Sequence, residues 1–289
     1  QRQSLKEKNL FLFLQYMDAH EPYLPPARCR KLFTQKRASG YDYQELFDDL
    51  KEGKRTPETH AAITHVSDLY DASLYYLDEQ IGELAEELEK RKLLRESLLV
   101  IASDHGQSLG ERYRLGHGAT LYPCETHVPL IISGPSIPPS RVRTRTTNLD
   151  VLATIADFTG AGRAPAGRSL INEAVKAAAN SFTAHREVYS IADYTKIFPA
   201  IAREMLISPS GKAYIANSNK EGHTVSEEVY NVDADPEMLH DVSNADDLVA
   251  FRARLAALHS QEAVLFNAQE TEIDNPAIRQ MLKTLGYLN

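Results

Sequence analysis

An acid and two histidines, close together in the chain, are placed to hold a cation and work on a ligand. In "SLLVIASDHGQSLGERYRLGHG" (97–118) an apolar run ends on Asp104-His105-Gly106, and Gly116-His117-Gly118 follows, with His117 twelve residues after His105. An acid and an imidazole side by side at a strand end offer one oxygen and one nitrogen to a single divalent cation. Such a site needs more ligands from elsewhere. The glycines around His117 let the backbone come close to a ligand. His20 follows another apolar run, in the proline-ringed "YMDAHEPYLPP" (16–26). The plainer reading of Asp-His-Gly is a turn, in which the acid caps and the glycine takes a positive φ. The second His-Gly and His20 weigh against that reading.

The elements that must position these residues follow from hydrophobic period. "NLFLFLQYMD" (9–18) is a near-continuous apolar run, the pattern of a strand buried on both faces in a parallel sheet. From Thr59 to about Leu94, apolar residues recur at three- and four-residue steps and predict a long helix ending in "EELEKRK". Strands are expected at "SLLVIAS" (97–103) and "VPLIIS" (128–133). A helix is expected in "TTNLDVLATIADFTG" (146–160), with Asn148 as its N-cap and Gly160 past its end. This order is that of an α/β layered domain, whose functional side chains gather at the carboxyl ends of strands. Past about residue 186, short alternating strands around a "PSGK" turn, then the helix "NADDLVAFRARLAALHSQEAVLFN", predict a smaller antiparallel sheet with a helix. The expected division is 1–185 and 186–289.

Bulk composition narrows the function. Apolar residues are 43% and charged residues 25% of the 289, as in an ordinary globular chain. Acids outnumber bases 40 to 32, a net charge of -8, which argues against a nucleic-acid partner. The densest basic stretch, "SRVRTRTT" (140–147), reads as a solvated strand face. No apolar run reaches the roughly 18 to 20 residues that span a bilayer. Cys29 and Cys124 are too few for a disulfide framework or a zinc pair and read as packed residues. His60 and His65 fall on the long helix, and His127 opens a strand. His185, His223, His240 and His259 belong to the second part or its approach, and all seven read as structural.

Taken together, these segments resemble the C-terminal part of sulfatases of the alkaline phosphatase superfamily. "FLFLQYMDAHEPYLPP" is similar to that family's "HYMDPHEPYxPP", and "LLVIASDHGQSLGE" to "TSDHGE-LGEH". "LGHGATLYPCETHVPLIISGPSIPP" resembles its "GHG-TLYEE-VPLIISGPG", "NLDVLATIADFTG" its "DLLPTLLDLAG", and "VYNVDADPEMLHDVSN" its "LYDLEKDPxExxNLA". "MLKTLGYL" (281–288) is a common family ending. The resemblance implies an alkaline-phosphatase-like mixed or parallel sheet flanked by helices, and metal-dependent hydrolysis of a small-molecule or glycan sulfate ester. It makes Asp104 and His105 cation ligands. His117 stands where relatives have a Lys or His contacting the sulfate and the leaving oxygen, and His20 matches the histidine contacting the ester. None of the ten histidines has an Asp four positions before it, the spacing of two-metal relatives, so one cation is expected. Calcium is the family's usual ion, and the His105 nitrogen brings manganese or zinc into range. A periplasmic or extracellular setting follows from the resemblance alone.

Two parts of the family pattern are absent from these 289 residues: an Asp-Asp metal pair after a strand, and the C/S-x-P-x-R nucleophile that becomes formylglycine. Asp48-Asp49 and Asp246-Asp247 follow no apolar strand, and in "SIPPSR" (136–141) the Arg is one residue too far along. Three readings stand: a fragment of a longer chain, one chain of a processed enzyme, or a non-catalytic relative used for binding. In the first two, an upstream segment or second chain completes the sheet, and without it apolar edges are exposed. A phosphoryl transferase or phosphodiesterase of the same superfamily is the alternative chemistry.

Overall fold

The structure is a computed structural model and describes residues 10–34, 42–164, 166–179, 185–193 and 201–265. The "MLKTLGYL" ending lies outside the described residues. After the proline-rich loop come two short helices, α1 (Ala27–Phe33) and α2 (Tyr43–Lys51), the second capped by Asp42, whose carboxylate accepts Glu45 N–H at 2.7 Å. The long helix α3 (Pro57–Lys90) starts on a reciprocal cap between Thr56 and Thr59, at 3.2 and 2.9 Å, with Pro57 in its first turn. Its apolar stripe, with Ala62 and Val66, packs on Leu46 and Leu50 of α2. Tyr23 and Leu115 close that core, so the loop after His20 and the strand before His117 rest on the same helices.

Strand β1 (Leu99–Ala102) pairs antiparallel with β4 (Leu130–Ser133), Leu99 opposite Ser133 and Ala102 opposite Leu130. Between them, β2 (Ser108–Leu109) and β3 (Leu115–Gly116) form a small antiparallel ladder, and α4 (Pro123–Thr126) is a single turn. Helix α5 (Leu149–Thr159) ends on Gly160 at φ 67°, as its sequence predicts, and α6 (Ile171–Ala178) follows. Asn148 stands at the N-cap of α5, as its sequence predicts, but its side chain makes no capping hydrogen bond. Its amide instead donates to the Ser103 carbonyl at 3.0 Å, tying the helix to the end of β1.

The C-terminal part is a four-stranded antiparallel meander: β5 (Val188–Asp193), β6 (Ile201–Ile207), β7 (Lys212–Asn219) and β8 (Thr224–Asn231). Strand alternation sends Leu206, Tyr214, Ala216 and Val229 to one face, where Phe251 and Leu255 of α7 (Ala245–Leu265) cover them. Met205, Ala213, Ile215 and Tyr230 occupy the other face with Leu121, which follows the His117 loop. Arg252 of α7 pairs with Glu227 of β8 and holds that carboxyl below its ordinary range. A lowered carboxyl contributes stability present above its unfolded pKa and lost as the pH falls. The stability gap between wild type and Glu227→Gln is therefore expected to narrow when thermal melts are taken from about pH 6 down through about pH 4.

Asp150 is fully buried at the start of α5 and accepts Thr147 N–H and Arg168 N–H, each at 2.8 Å, and Arg186. Removing the acid strands a largely buried guanidinium. Asp150→Ala is expected to cost about 3 to 5 kcal/mol in urea denaturation, the magnitude for breaking a buried pair from one side.

Two sequence expectations differ from the structure. Leu10–Leu14 form no strand and are 49–74% exposed, because among the described residues no strand lies beside them to take up their backbone N–H and C=O groups. "SRVRTRTT" is also no strand. Its Arg145 reaches out to Asp233 at 2.6 Å, just after β8, so one of its charges is used for packing rather than left in solvent.

Candidate active site

The four residues singled out in the sequence converge. The His105 and His117 rings stack at 4.0 Å between centroids, 19° apart, and His20 meets His117 edge-on at 5.0 Å. Asp104 Oδ1 lies 3.8 Å from His105 Nε2. Two donor atoms that far apart can both reach one ion at bond lengths of about 2.0 to 2.2 Å, so the pair fits a divalent cation.

Backbone packing accounts for the placement. Asp104 and His105 follow β1 directly. Gly106 N–H and Gln107 N–H donate to the Glu125 and Cys124 carbonyls at 2.8 and 2.7 Å, latching the Asp-His-Gly turn onto α4. The approach is so close that a Cβ on Gly106 would stand 2.1 Å from the Cys124 oxygen, which explains the glycine. Gly116 and Gly118 take φ of 91° and 76° on either side of His117. The buried Glu125 carboxylate holds the same loop. It accepts Ser108 Oγ–H at 2.9 Å and, from Thr120, the hydroxyl at 2.6 Å and the N–H at 3.1 Å.

All three histidines share a hydrogen-bonding habit. A carbonyl or amide oxygen can only accept, so each Nδ1 facing one carries the hydrogen. His20 Nδ1 donates to the Glu21 carbonyl at 2.7 Å, His105 Nδ1 to the Gly106 carbonyl at 2.8 Å, and His117 Nδ1 to Gln107 Oε1 at 3.0 Å. Each neutral ring therefore keeps Nε2 as its free lone pair, the state a metal ligand or proton acceptor needs. Burial pushes the His117 pKa down, the nearby His105 pushes it further, and the Glu21 charge pulls the other way.

Two participants escaped the sequence reading. Glu21 lies 3.7 Å from His117 Nδ1 and 3.8 Å from His20 Nδ1. Gln107 bridges Glu21 and His117. Among the described residues, His20, Glu21 and His117 are the trio whose ligand atoms lie within 4.8 Å of one another. Asp104 and His105 are not members of that trio, though the His105 ring stacks on His117. Gln107 carries no charge and Glu21 precedes a proline in a loop, so neither gave a signal in the sequence.

The family model described as Sulfatase matches residues 2–161, more than half of the chain. The chain belongs to the sulfatase family. Among curated relatives, this sulfatase chain is 43% identical over 91 residues to choline-sulfatase of Rhizobium meliloti (strain 1021), covering 32% of the chain and 18% of that protein. It is 27% identical over 190 residues to arylsulfatase K of Mus musculus, covering 64% of the chain and 34% of that protein. The chain thus spans about a third or less of these relatives. In solved structures, the phosphonate monoester hydrolase of Agrobacterium radiobacter aligns with TM-score 0.65 at 18% identity, over 90% of this chain and 58% of that one. A structure in complex with its substrate D-glucosamine-2-N,6-O-disulfate aligns with TM-score 0.60 at 20% identity, over 81% and 47%. At those identities the likeness is one of fold alone, an α/β architecture.

Proposed function

We propose that this chain is part of a metal-dependent sulfatase and carries one side of its active centre. The observation that supports this most is the meeting of His20, His105 and His117 beside Asp104, on loops that match the family. In this reading Asp104 and His105 hold one divalent cation, and His117 and His20 contact the ester. A cation bound there offsets negative charge on the transferring sulfuryl group and favours the deprotonated nucleophile.

The chain's own residues do the rest. His105 keeps Nε2 free for the ion because Gly106 accepts its other proton. Carrying protons on both nitrogens, His117 gives the one on Nε2 to the leaving oxygen and is left as the Nδ1–H tautomer bonded to Gln107. His20, more exposed, lies beside it and contacts the ester. The nucleophile and the remaining cation ligands come from an upstream segment or second chain, which also covers the bare Leu10–Leu14 run. The chain divides near residue 186 into a partial catalytic domain, 1–185, and a smaller subdomain, 186–289. The substrate is a small-molecule or glycan sulfate ester.

The ion is calcium by resemblance, with manganese and zinc brought into range by the imidazole nitrogen. Chelation of the full-length polypeptide, followed by separate return of each of the three ions, tests the cation assignment. Return of aryl-sulfate turnover with one equivalent supports it. Turnover that survives chelation of all bound metal sinks it. The fold likeness to a phosphonate monoester hydrolase favours one other reading, cleavage of a phosphorus ester at the same residues.

A further inference from the structure

Behind His117 runs a line of polar contacts that the roles above leave unused. Gln107 is buried, donates Nε2–H to Glu21 Oε2 at 3.0 Å, and turns its Oε1 to His117 Nδ1 at 3.0 Å. The order of these contacts is dictated. A carboxylate only accepts, so the amide nitrogen must face Glu21 and the amide oxygen must face the imidazole. His20 and His105 receive the same instruction from backbone carbonyls of their own neighbours. His117 alone of the three receives it from a side chain, and from one whose orientation depends on Glu21, 86 residues away in sequence.

The same bridge accounts for the crowding of His20, Glu21 and His117. The Glu21 oxygen and the His117 nitrogen nearest each other are both already bonded to Gln107, and His20 Nδ1 is bonded to the Glu21 carbonyl. Hydrogen bonds link these converging atoms. Tyrosines back the arrangement: Tyr23 packs in the core beside Tyr43 and Tyr70, and the Tyr43 hydroxyl stands next to Gly116.

We infer that Gln107, oriented by Glu21, is a positioning residue that fixes His117 in the Nδ1–H tautomer and so presents Nε2 to the ester. The tautomer is a property of this chain. That Nε2 faces an ester rests on the sulfatase reading, and the two fail separately.

Two measurements on the full-length polypeptide test it. The first is ring nitrogen NMR of protein carrying 15N-histidine, with the His117 signals assigned by their loss in His117→Gln. Wild type is expected to show His117 protonated at Nδ1, and Gln107→Leu a mixture of tautomers. The second is kinetics on an aryl sulfate. Gln107→Leu is expected to lower kcat about a hundredfold, the scale of a misplaced catalytic group, with KM within about threefold. A His117 protonated at Nε2 in wild type overturns the inference, as does a Gln107→Leu protein that keeps both tautomer and kcat. A bound metal ion lost in Glu21→Gln but kept in Asp104→Asn overturns it too, since coordination then replaces the bridge. If wild type turns over no sulfate ester but the tautomer behaves as stated, the function reading fails and the positioning role stands.

Discussion

Asp104→Asn in the full-length polypeptide is expected to lower kcat/KM for an aryl sulfate by about a thousandfold, with folding stability unchanged. The size follows from the proposed role, in which the carboxylate gives a full negative charge to a cation that offsets the developing charge of the transition state. The unchanged stability follows from its surroundings. The Asp104 side chain is 66% exposed, and the hydrogen bond it accepts, at 3.0 Å, comes from the N–H of its own neighbour His105. Asparagine keeps the shape and that bond but loses the charge. Metal content measured after dialysis should fall in parallel with activity, and excess metal should restore part of it. A variant that retains its metal and loses activity would move Asp104 from ligand to some other role.

His117→Ala is expected to cost about 10² to 10⁴ in kcat, the range for a lost general acid or base. The loss should depend on the leaving group, larger for an alkyl sulfate than for a nitrophenyl sulfate, because a poor leaving oxygen needs the proton more. His20→Ala removes a more exposed ring that sits beside His117, and the same substrate pair should show a smaller and more even loss. Parallel rate measurements on both esters separate the two roles. Equal losses on both substrates for His117→Ala would remove it from proton transfer and leave it a binding contact.

The reach of the sequence differs from residue to residue. Asp104, His105, His117 and His20 are legible because each sits at a strand end, between glycines or among prolines, features written in local order. The long helix, the C-terminal meander and the Gly160 stop are legible for the same reason, since period and turn residues are local. Glu21 and Gln107 are not, because their meaning is a pair of hydrogen bonds across 86 positions and neither has a distinctive neighbour. Leu10–Leu14 read as a doubly buried strand from composition alone. Burial depends on partners, and the described residues offer none beside them. Asn148 stands at the N-cap position its sequence predicts, and only its side-chain bond differs. The residue type suits a cap, but a carbonyl at the end of β1 lies within reach of its amide and takes it instead.

The most direct test is to supply the full-length polypeptide with a nitrophenyl sulfate and, separately, with a bis-nitrophenyl phosphate, and to measure nitrophenol release from each before and after chelation. For a metal-dependent sulfatase, cleavage of the sulfate ester stops on chelation, returns with one divalent cation, and is lost in Asp104→Asn. Rapid phosphodiester turnover with no cleavage of the sulfate ester would contradict that assignment.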